Sequence, residues 1–271
     1  MFRILSCLLL LLSISCAALS AADEKPHAVF VVGTPHYNPA GTLPPLAKQL
    51  EETFGWKTTV IQSDANPEKS ERGLPGLAAL KDADVAIFFL RFLTLPPGQL
   101  KQIENYLESG KPVVTLRTSS HAFIYPEDHP LSAWNDGFGT RVVGTKYFIH
   151  GAGGTSVEKA IDAHEILTGV DLSKPRPAAG TLYLAKLPEN ATVLLRGTGK
   201  FKRTGTVTNR FGTHELKAEM TDDVAWTFTN EWGGRTFSTS LGHPRTFADP
   251  NWMRLFVNGI HWAAGMPVPA G

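Results

Sequence analysis

Cysteine is nearly absent from this chain of 271 residues: the only two, Cys7 and Cys16, stand close to its start. The segment around them has a basic residue at Arg3, an apolar stretch of about 10 residues and small residues up to Ala22, which is the pattern of a secretory signal peptide. We therefore expect residues 1–22 to be removed on export to the periplasm or the extracellular medium. The mature chain would then hold no thiol, which excludes disulfide bonds and cysteine catalysis.

Net charge is also small, since 26 Lys and Arg side chains are matched by 25 Asp and Glu. A chain so balanced lacks the basic surface that nucleic acids require, so we expect no nucleic-acid partner. The leader is too short to span a membrane, and no later apolar run is long enough. The alternative at the membrane is a lipoprotein acylated at Cys16, although the preceding Ser13, Ile14 and Ser15 fit the required signal poorly.

Several catalytic motifs are missing as well. The chain has no G-x-S-x-G nucleophile elbow and no glycine-rich turn from strand to helix of the kind that binds dinucleotides. We therefore expect no nucleotide cofactor. The histidines form no H-E-x-x-H or H-x-H pair, so spacing alone does not indicate a metal site.

Apolar runs alternate with amphipathic segments through the first half of the chain. The predicted strands are residues 28–33, 57–61, 85–90 and 112–116, and the predicted helices are residues 43–54 and 96–108. Two of the strand segments are continuously apolar, as in strands that are buried on both faces. Each connection is long enough for a crossover, so this half predicts a doubly wound parallel sheet.

The second half is richer in segments that resemble strands. The predicted strands are residues 146–149, 182–184, 192–195, 224–228 and 235–240. We expect some of them to extend the sheet and others to form an antiparallel layer, with residues 201–215 as a polar hairpin or excursion. Residues 171–180, rich in proline and lysine, are predicted to form a surface loop.

The closing segment, GRTFSTSLGHPRTFADPNWMRLFVNGIHWAAG, predicts a strand, a loop and a helix. Asp249 and Pro250 suit the start of that helix, and Gly265 suits its end. This segment resembles the end of the ThuA-like (trehalose-utilisation) family. Four further segments resemble the family in the same order: VFVVGTPHYNPAGTLPPLAKQLEE, YLESGKPVVTLRTSSHAF, VGTKYFIHG and DAHEILTGVD. Together they span nearly all of the chain after the leader.

The resemblance implies the α/β fold of class I glutamine amidotransferases, a flavodoxin-like sandwich with a mainly parallel central sheet and extra antiparallel strands in the second half. It implies one ThuA-like domain over residues 23–271, a length that can bury one substantial core. It also implies a carbohydrate as the small-molecule ligand. The chain departs from the family at Arg117, where a histidine is usual. Glutamine hydrolysis by a Cys–His pair is excluded because the domain has no cysteine.

Histidines follow several of the predicted strands. Ligands bind outside the carboxyl ends of strands in open α/β sheets, so His36, His121, His150 and His243 are candidates for one site. Imidazole titrates near neutral pH and suits proton transfer at a sugar hydroxyl or beside a carbonyl, for which we select His150 or His243, with His121 as a partner. Neutral imidazoles also bind divalent metals such as zinc, so a metal is a candidate cofactor. The alternative for each ring is a hydrogen bond to the loop backbone.

Cationic, hydroxyl and aromatic side chains accompany these histidines. Arg91 and Arg117 are expected at neighbouring strand ends, where two fixed charges repel unless an anion lies between them. The alternative is that they pair internally with carboxylates of residues 127–136. Two tyrosines in these loops could stack on a sugar ring. The predicted ligand contacts are His36, Tyr37, Arg91, Arg117, Ser119 and Tyr125.

Three functions stay open. The first is an exported enzyme that hydrolyses or isomerises a carbohydrate or an oxidised sugar by histidine acid/base chemistry, with or without a metal. The second is a non-catalytic carbohydrate-binding or accessory module that keeps the fold. The third is a metal-dependent hydrolase of an unrelated substrate. Histidines that converge would favour an enzyme, and histidines that are scattered and internally bonded would favour the module. No feature of the sequence indicates an oligomeric state.

Overall fold

The computed structural model describes residues 25–63 and 73–270, which form eleven strands and five α-helices. The strands are β1 (His27–Gly33), β2 (Lys57–Gln62), β3 (Val85–Leu90), β4 (Val113–Thr115), β5 (Ala152–Lys159), β6 (Arg176–Ala178), β7 (Thr192–Lys200), β8 (Gly205–Asn209), β9 (Gly212–Leu216), β10 (Glu219–Thr229) and β11 (Arg235–Thr239). The helices are α1 (Pro39–Phe54), α2 (Pro97–Glu108), α3 (Trp134–Phe138), α4 (Pro244–Phe247) and α5 (Pro250–Ala263). The predicted leader lies outside the described residues, and within those residues no helix is long and apolar enough to cross a membrane.

Nine of these strands form one sheet in the order β2-β1-β3-β4-β11-β10-β7-β5-β6. The first five run parallel to one another, and every later neighbour pairs antiparallel. The parallel part has the flavodoxin-like order 2-1-3-4-5, with β11 as its fifth strand. The predicted α/β fold, mainly parallel at its centre with antiparallel strands from the second half, is therefore confirmed.

Alternate side chains of the central strands enter two cores on opposite faces of the sheet. In β1, Phe30 and Val32 join the core that packs against α1 and α5, whereas Val29 and Val31 join the core that packs against α2. Every residue of β1 and of β3 is buried. Apart from His27, both strands lack polar side chains, because helices cover both of their faces.

Helix α5 packs closely on the sheet through a glycine. A Cβ atom added to Gly259 would lie 2.2 Å from Cδ1 of Phe237 in β11, so only a residue without a side chain leaves room for the ring. The helix begins as predicted: the Asp249 carboxylate accepts the N–H of Asn251, and Pro250 occupies the first turn.

Two predicted strands are wrong. Residues 146–149 and 182–184 form no ladder: an isolated bridge pairs His150 with Tyr183, and the rings of Tyr147 and Tyr183 lie 5.2 Å apart. Their apolar and aromatic side chains, which suggested strands, pack in loops instead. This bridge places His150 and Tyr183 beside the loops that follow the parallel strands.

The outer strands of the sheet were harder to predict. β5 was missed, and β6 lies inside the segment predicted to be a loop. In β5 only Thr155 and Val157 are buried, so its sequence shows little of the alternation that marks a strand. The predicted hairpin is confirmed as β8 and β9, which pair with each other and not with the main sheet.

Candidate functional site

The carboxyl ends of β1, β3 and β4 meet at one edge of the sheet, beside the point where the strand order reverses. The loops that follow these strands contain all four of the non-glycine residues with positive φ in the described chain: Tyr37 (66°), Asn38 (51°), Phe92 (47°) and Thr118 (74°). Such conformations cost about 1–3 kcal/mol each and concentrate at functional sites. Backbone strain therefore marks the same edge that the topology indicates.

Arg117 lies beneath this edge with 2% of its surface exposed. Its Nη1 donates to the carbonyl oxygens of Thr181 (3.0 Å) and Ser240 (2.8 Å). Its Nη2 donates to the hydroxyls of Tyr37 (3.1 Å) and Thr181 (2.8 Å). The guanidinium also stacks on the rings of Tyr37 and Tyr183, at 4.6 and 4.2 Å from their centroids. Arg117 therefore joins three loops, and none of its bonds to the described residues is to a carboxylate.

Tyr147 and Tyr183 form an aromatic wall beside Arg117. Their ring centroids lie 5.2 Å apart, and that of Tyr147 lies 4.5 Å from the ring of His121. Burial raises the pKa of Tyr147 to about 12, so its hydroxyl stays protonated and can donate a hydrogen bond. The predicted ligand contacts include neither Tyr147 nor Tyr183, which reaches the site through its bridge to His150.

His121 and His36 are held in their neutral forms. His121 is 5% exposed, and burial together with the charges of Arg91, Arg117 and Arg210 sets its pKa well below the usual value. His36 is more exposed, and burial followed by Arg91 and Arg117 lowers its pKa too. Near pH 7 each ring therefore carries one N–H and one lone pair, and neither adds a fixed charge to the site.

His150 is exposed beside the aromatic wall, with its ring centroid 6.3 Å from that of Tyr147 and 6.1 Å from that of Tyr183. Its Nδ1 lies 2.7 Å from the carbonyl oxygen of Gly151. A carbonyl can only accept, so Nδ1 carries the proton of the neutral ring and Nε2 keeps a lone pair. His150 can therefore take up a proton without losing its bond to the backbone.

His243 has the opposite tautomer because it caps α4. Its Nδ1 accepts the N–H of Arg245 at 3.2 Å, which leaves the proton of the neutral ring on Nε2. Burial, then Arg245 and Arg117, lower its pKa. The ring lies 5.7 Å from that of Tyr37, so His243 borders the same site. Protonation at Nδ1 would break the cap, which suits His243 to donating rather than accepting.

Ser119 and Tyr125 use their hydroxyls within the fold. Ser119 Oγ donates to the carbonyl oxygen of Phe88 at 3.0 Å. Tyr125 Oη donates to the carbonyl oxygen of Leu95 at 3.1 Å, and its ring stacks on His129 at 4.8 Å. Both side chains are buried, and Tyr125 belongs to the core on the α2 face. Their roles as ligand contacts stay predictions.

Two arginines share the ring of Phe92. The guanidinium carbon of Arg91 lies 4.4 Å from its centroid, and that of Arg210 lies 4.5 Å from it. Arg210 stands in the turn between β8 and β9. Sequence reasoning missed Arg210, because nothing in a polar hairpin indicates where its tip lies in the fold.

The tip of the β8–β9 hairpin is fastened to the site. Asn209 Nδ2 donates to the carbonyl oxygen of Phe148 at 3.0 Å. Phe211 packs edge-on against Tyr147, with 4.8 Å between centroids. Both neighbours of Arg210 therefore contact the site: Asn209 at the backbone of Phe148, and Phe211 at the ring of Tyr147.

The described residues contain no group of three or more His, Cys, Asp or Glu side chains close enough to hold a metal ion. Zinc sites in proteins use three or four such ligands. The described donors therefore do not fit a zinc site, and we derive no step through a metal.

These features define a flavodoxin-like α/β protein whose candidate ligand site, lined by histidines, tyrosines and arginines, lies at the carboxyl ends of its parallel strands. The family model for ThuA, described as trehalose utilisation, matches residues 36–263. The chain therefore belongs to the ThuA family, and the resemblance seen in its sequence is confirmed.

Solved structures share this fold. A ThuA-like protein from Parabacteroides merdae is 14% identical and has a TM-score of 0.63, over 91% of this chain and 93% of its own. A ThuA-like protein from Bacteroides uniformis is also 14% identical and has a TM-score of 0.57, over 92% and 94% of the two chains. At these identities the likeness concerns the fold alone. A comparison with curated proteins finds no match.

Proposed function

We propose that this protein binds a carbohydrate, or an oxidised derivative of one, at the carboxyl ends of its parallel strands. Histidine side chains then act as acid and base, removing a proton from the bound sugar and returning one to it. The observation that carries the proposal is the convergence of His36, His121 and His150 with Tyr147 and Tyr183 at one strained edge of the sheet. The family's description as trehalose utilisation supports a sugar as the ligand. Tyrosine suits a sugar because its ring packs on C–H groups while its hydroxyl bonds to sugar oxygens.

His150 is the proposed base. Its bond to the Gly151 carbonyl presents Nε2 as the acceptor, and that bond strengthens when the ring becomes an imidazolium. Removal of a C–H proton beside a sugar carbonyl leaves negative charge on the carbonyl oxygen. Arg91 and Arg210 supply the positive field that stabilises this charge. For isomerisation, His150 returns this proton to the former carbonyl carbon, while the carbonyl oxygen gains a proton and the neighbouring hydroxyl loses one. For hydrolysis, His150 would instead take a proton from a bound water.

His243 and Arg117 have different proposed roles. His243 donates its Nε2–H to a ligand oxygen while its Nδ1 keeps the cap of α4. Arg117, buried under the site, fixes the position of Tyr37 through the bond to its hydroxyl. Arg117 is therefore a positioning residue in this proposal.

The test measures binding and proton transfer together. Calorimetry would record the binding of trehalose, D-glucose and a set of keto sugars to the purified protein. NMR in D2O would follow the exchange of carbon-bound hydrogen in D-glucose and the keto sugars, and trehalose, which has no carbonyl, should show none. We expect His150→Gln to bind the same sugars and to lose a factor of about 10²–10⁴ in the rate of exchange.

The control variant is His164→Asn. His164 caps the turn at Glu165–Leu167 by accepting the N–H of Ile166, and asparagine caps helices as well. Exchange that is unchanged in His150→Gln would contradict the assignment of the base. Sugar binding without exchange in the wild type would instead favour the non-catalytic carbohydrate-binding module.

We also propose that the protein works outside the cytoplasm as one domain, residues 23–271, after removal of residues 1–22. The basic, apolar and small-residue parts of the leader support export. The near balance of charge supports a small-molecule ligand rather than a nucleic acid.

A further inference from the structure

We propose that the sugar bound at this site is acidic and that Arg210 binds its anionic group, a carboxylate or a phosphate. The inference rests on the proposed function, since it names the class of sugar that the same site takes. Arg210 lies in the β8–β9 hairpin, which does not pair with the main sheet.

Arg210 is exposed and held in place by stacking. Its guanidinium carbon lies 4.5 Å from the ring centroid of Phe92 and 4.6 Å from that of Phe211. Within the described chain it makes no hydrogen bond and no ion pair. A stacked guanidinium keeps five N–H donors in a planar fork along its edges, which matches the two oxygens of a carboxylate or phosphate.

The turn that carries Arg210 is already in position. Asn209 bonds to the backbone at Phe148, and Phe211 packs on Tyr147, so the neighbours on both sides of Arg210 contact the site loop. A ligand would therefore meet an arginine whose location is fixed before binding. Such preorganisation lowers the entropic cost of recognition.

The charge around Arg210 favours an anion. Arg91 contacts the same ring of Phe92, so the two guanidinium carbons lie no more than about 9 Å apart, close enough to repel one another at a protein surface. The charge of Arg210 also lowers the pKa of His121, so its positive field reaches the site. A carboxylate or phosphate at this edge would therefore be attracted to Arg210.

The backbone strain at Phe92 also supports an anion-binding role for Arg210. Phe92 holds a φ of 47°, and in this conformation its ring contacts both guanidiniums. Strained residues of this kind persist where their surroundings enforce them, and they concentrate at ligand sites. The ring on which Arg210 is stacked is thus part of the strained edge.

Binding measurements with four compounds test the inference: D-glucuronate, its methyl ester, D-glucose and glucose 6-phosphate. We expect wild type to bind D-glucuronate or glucose 6-phosphate at least tenfold more tightly than D-glucose, and to lose part of this preference in 0.5 M NaCl. The acid that binds more tightly distinguishes a carboxylate from a phosphate. Arg210→Gln should lose the preference, so that its affinities for the two acidic sugars fall to within about twofold of its own affinity for D-glucose.

Arg203→Gln is the matched control, because Arg203 is exposed at the start of the same excursion and makes no contact with Phe92 among the described residues. It should keep the preference. Equal affinities for acidic and neutral sugars in wild type, or a preference that survives in Arg210→Gln, would overturn the inference and leave the sugar site standing. A wild type that binds none of the four would overturn the inference and the proposed function together.

Discussion

Arg117 brings a full positive charge into a buried position where its hydrogen-bond acceptors are neutral oxygens. Burying a charge costs several kcal/mol unless hydrogen bonds and ring faces replace the lost water. Two stacked tyrosines and four acceptor contacts do this for the Nη1 and Nη2 groups of Arg117, whereas its buried Nε has no partner among the described residues. The side chain consequently holds together the three loops to which it bonds beneath the site.

Arg117→Lys keeps the charge but removes the planar fork that reaches Thr181, Ser240 and Tyr37 together. We expect the free energy of unfolding to fall by about 2–4 kcal/mol, as measured by urea titration. Arg196→Lys is the control, since exposed Arg196 has a single ion pair with Asp223, and it should change stability by less than about 0.5 kcal/mol. Equal effects of the two substitutions on stability would show that Arg117 does not hold these loops together.

Asp222 in β10 makes stability depend on pH. Burial is the main cause that raises its pKa to about 6, above the usual value of about 3.9 for an unfolded chain. The folded state then binds more protons, so this group's contribution to stability rises as pH falls from about 7 towards 4 and is lost as pH rises through about 6. His121 acts in the opposite sense, because its lowered pKa reduces stability below about pH 6.5.

Asp222→Asn removes this charge while its side-chain oxygen can still accept the N–H of Asp223. We expect the gain in unfolding free energy over wild type to be larger at pH 8 than at pH 5, with each pair measured by urea titration at the same pH. The effect of His121 cancels in this comparison. Exposed Asp162→Asn should give no such pH-dependent gain, and a gain for Asp222→Asn that is the same at both pH values would refute the assignment.

At the scale of elements, α5 shows how packing can outweigh helix propensity. Glycine in a helix interior costs about 1 kcal/mol relative to alanine, so Gly→Ala in a helix normally stabilises a protein. At Gly259 the new Cβ would overlap the ring of Phe237, and overpacking a core costs about 1–3 kcal/mol or more. Whether Gly259→Ala stabilises or destabilises the protein depends on which of these two free-energy changes is larger.

Gly259→Ala should therefore lower the free energy of unfolding by up to about 2 kcal/mol in chemical denaturation, which is the overpacking cost less the gain in helix propensity. Gly98 in α2 gives the matched case, because nothing lies within 4 Å of a Cβ added there. Gly98→Ala should leave stability unchanged or raise it by up to about 1 kcal/mol. Stabilisation by both substitutions would mean that α5 can move away from β11 at little cost.

The inner strands were predictable from sequence and the outer ones were not, for a physical reason. β1 and β3 are covered on both faces, so burial requires an unbroken apolar run. β5 is an outer strand with exposed residues on most of its length, so no pattern is required of it. The segments around His150 and Tyr183 contain apolar and aromatic residues because they pack against the site, and sequence alone cannot separate that cause from a strand.

The candidate site was predictable to the same extent. Rules for open sheets placed His36, Arg91, Arg117 and His121 together, because each follows a parallel strand that the sequence revealed. Arg210 reaches the site from the β8–β9 hairpin, whose position depends on contacts far away in the sequence. The tautomers of the histidines also depend on loop backbone atoms, which no sequence pattern specifies.

For the whole molecule, if the chain is exported as proposed, the position of both cysteines predicts the mass and the thiol content of the mature form. Intact-mass analysis of protein recovered from the periplasm or medium should give a chain that starts near Asp23. A thiol reagent should find no reactive group, and unfolding should be insensitive to reductant. A chain that retains Cys16 in a form carrying fatty acyl groups would instead identify a lipoprotein.

The last strand of the chain completes the middle of the sheet. β11 lies between β4 and β10, and a hydrogen bond of 2.7 Å joins Thr115 to Ser238 across 123 positions of sequence. Contacts so distant in sequence form slowly, because a long loop must close first. A chain that emerges from its amino terminus therefore cannot complete the middle of its sheet until Thr239 has emerged. If the chain is exported as proposed, this order of assembly would favour an open form until it has crossed the membrane.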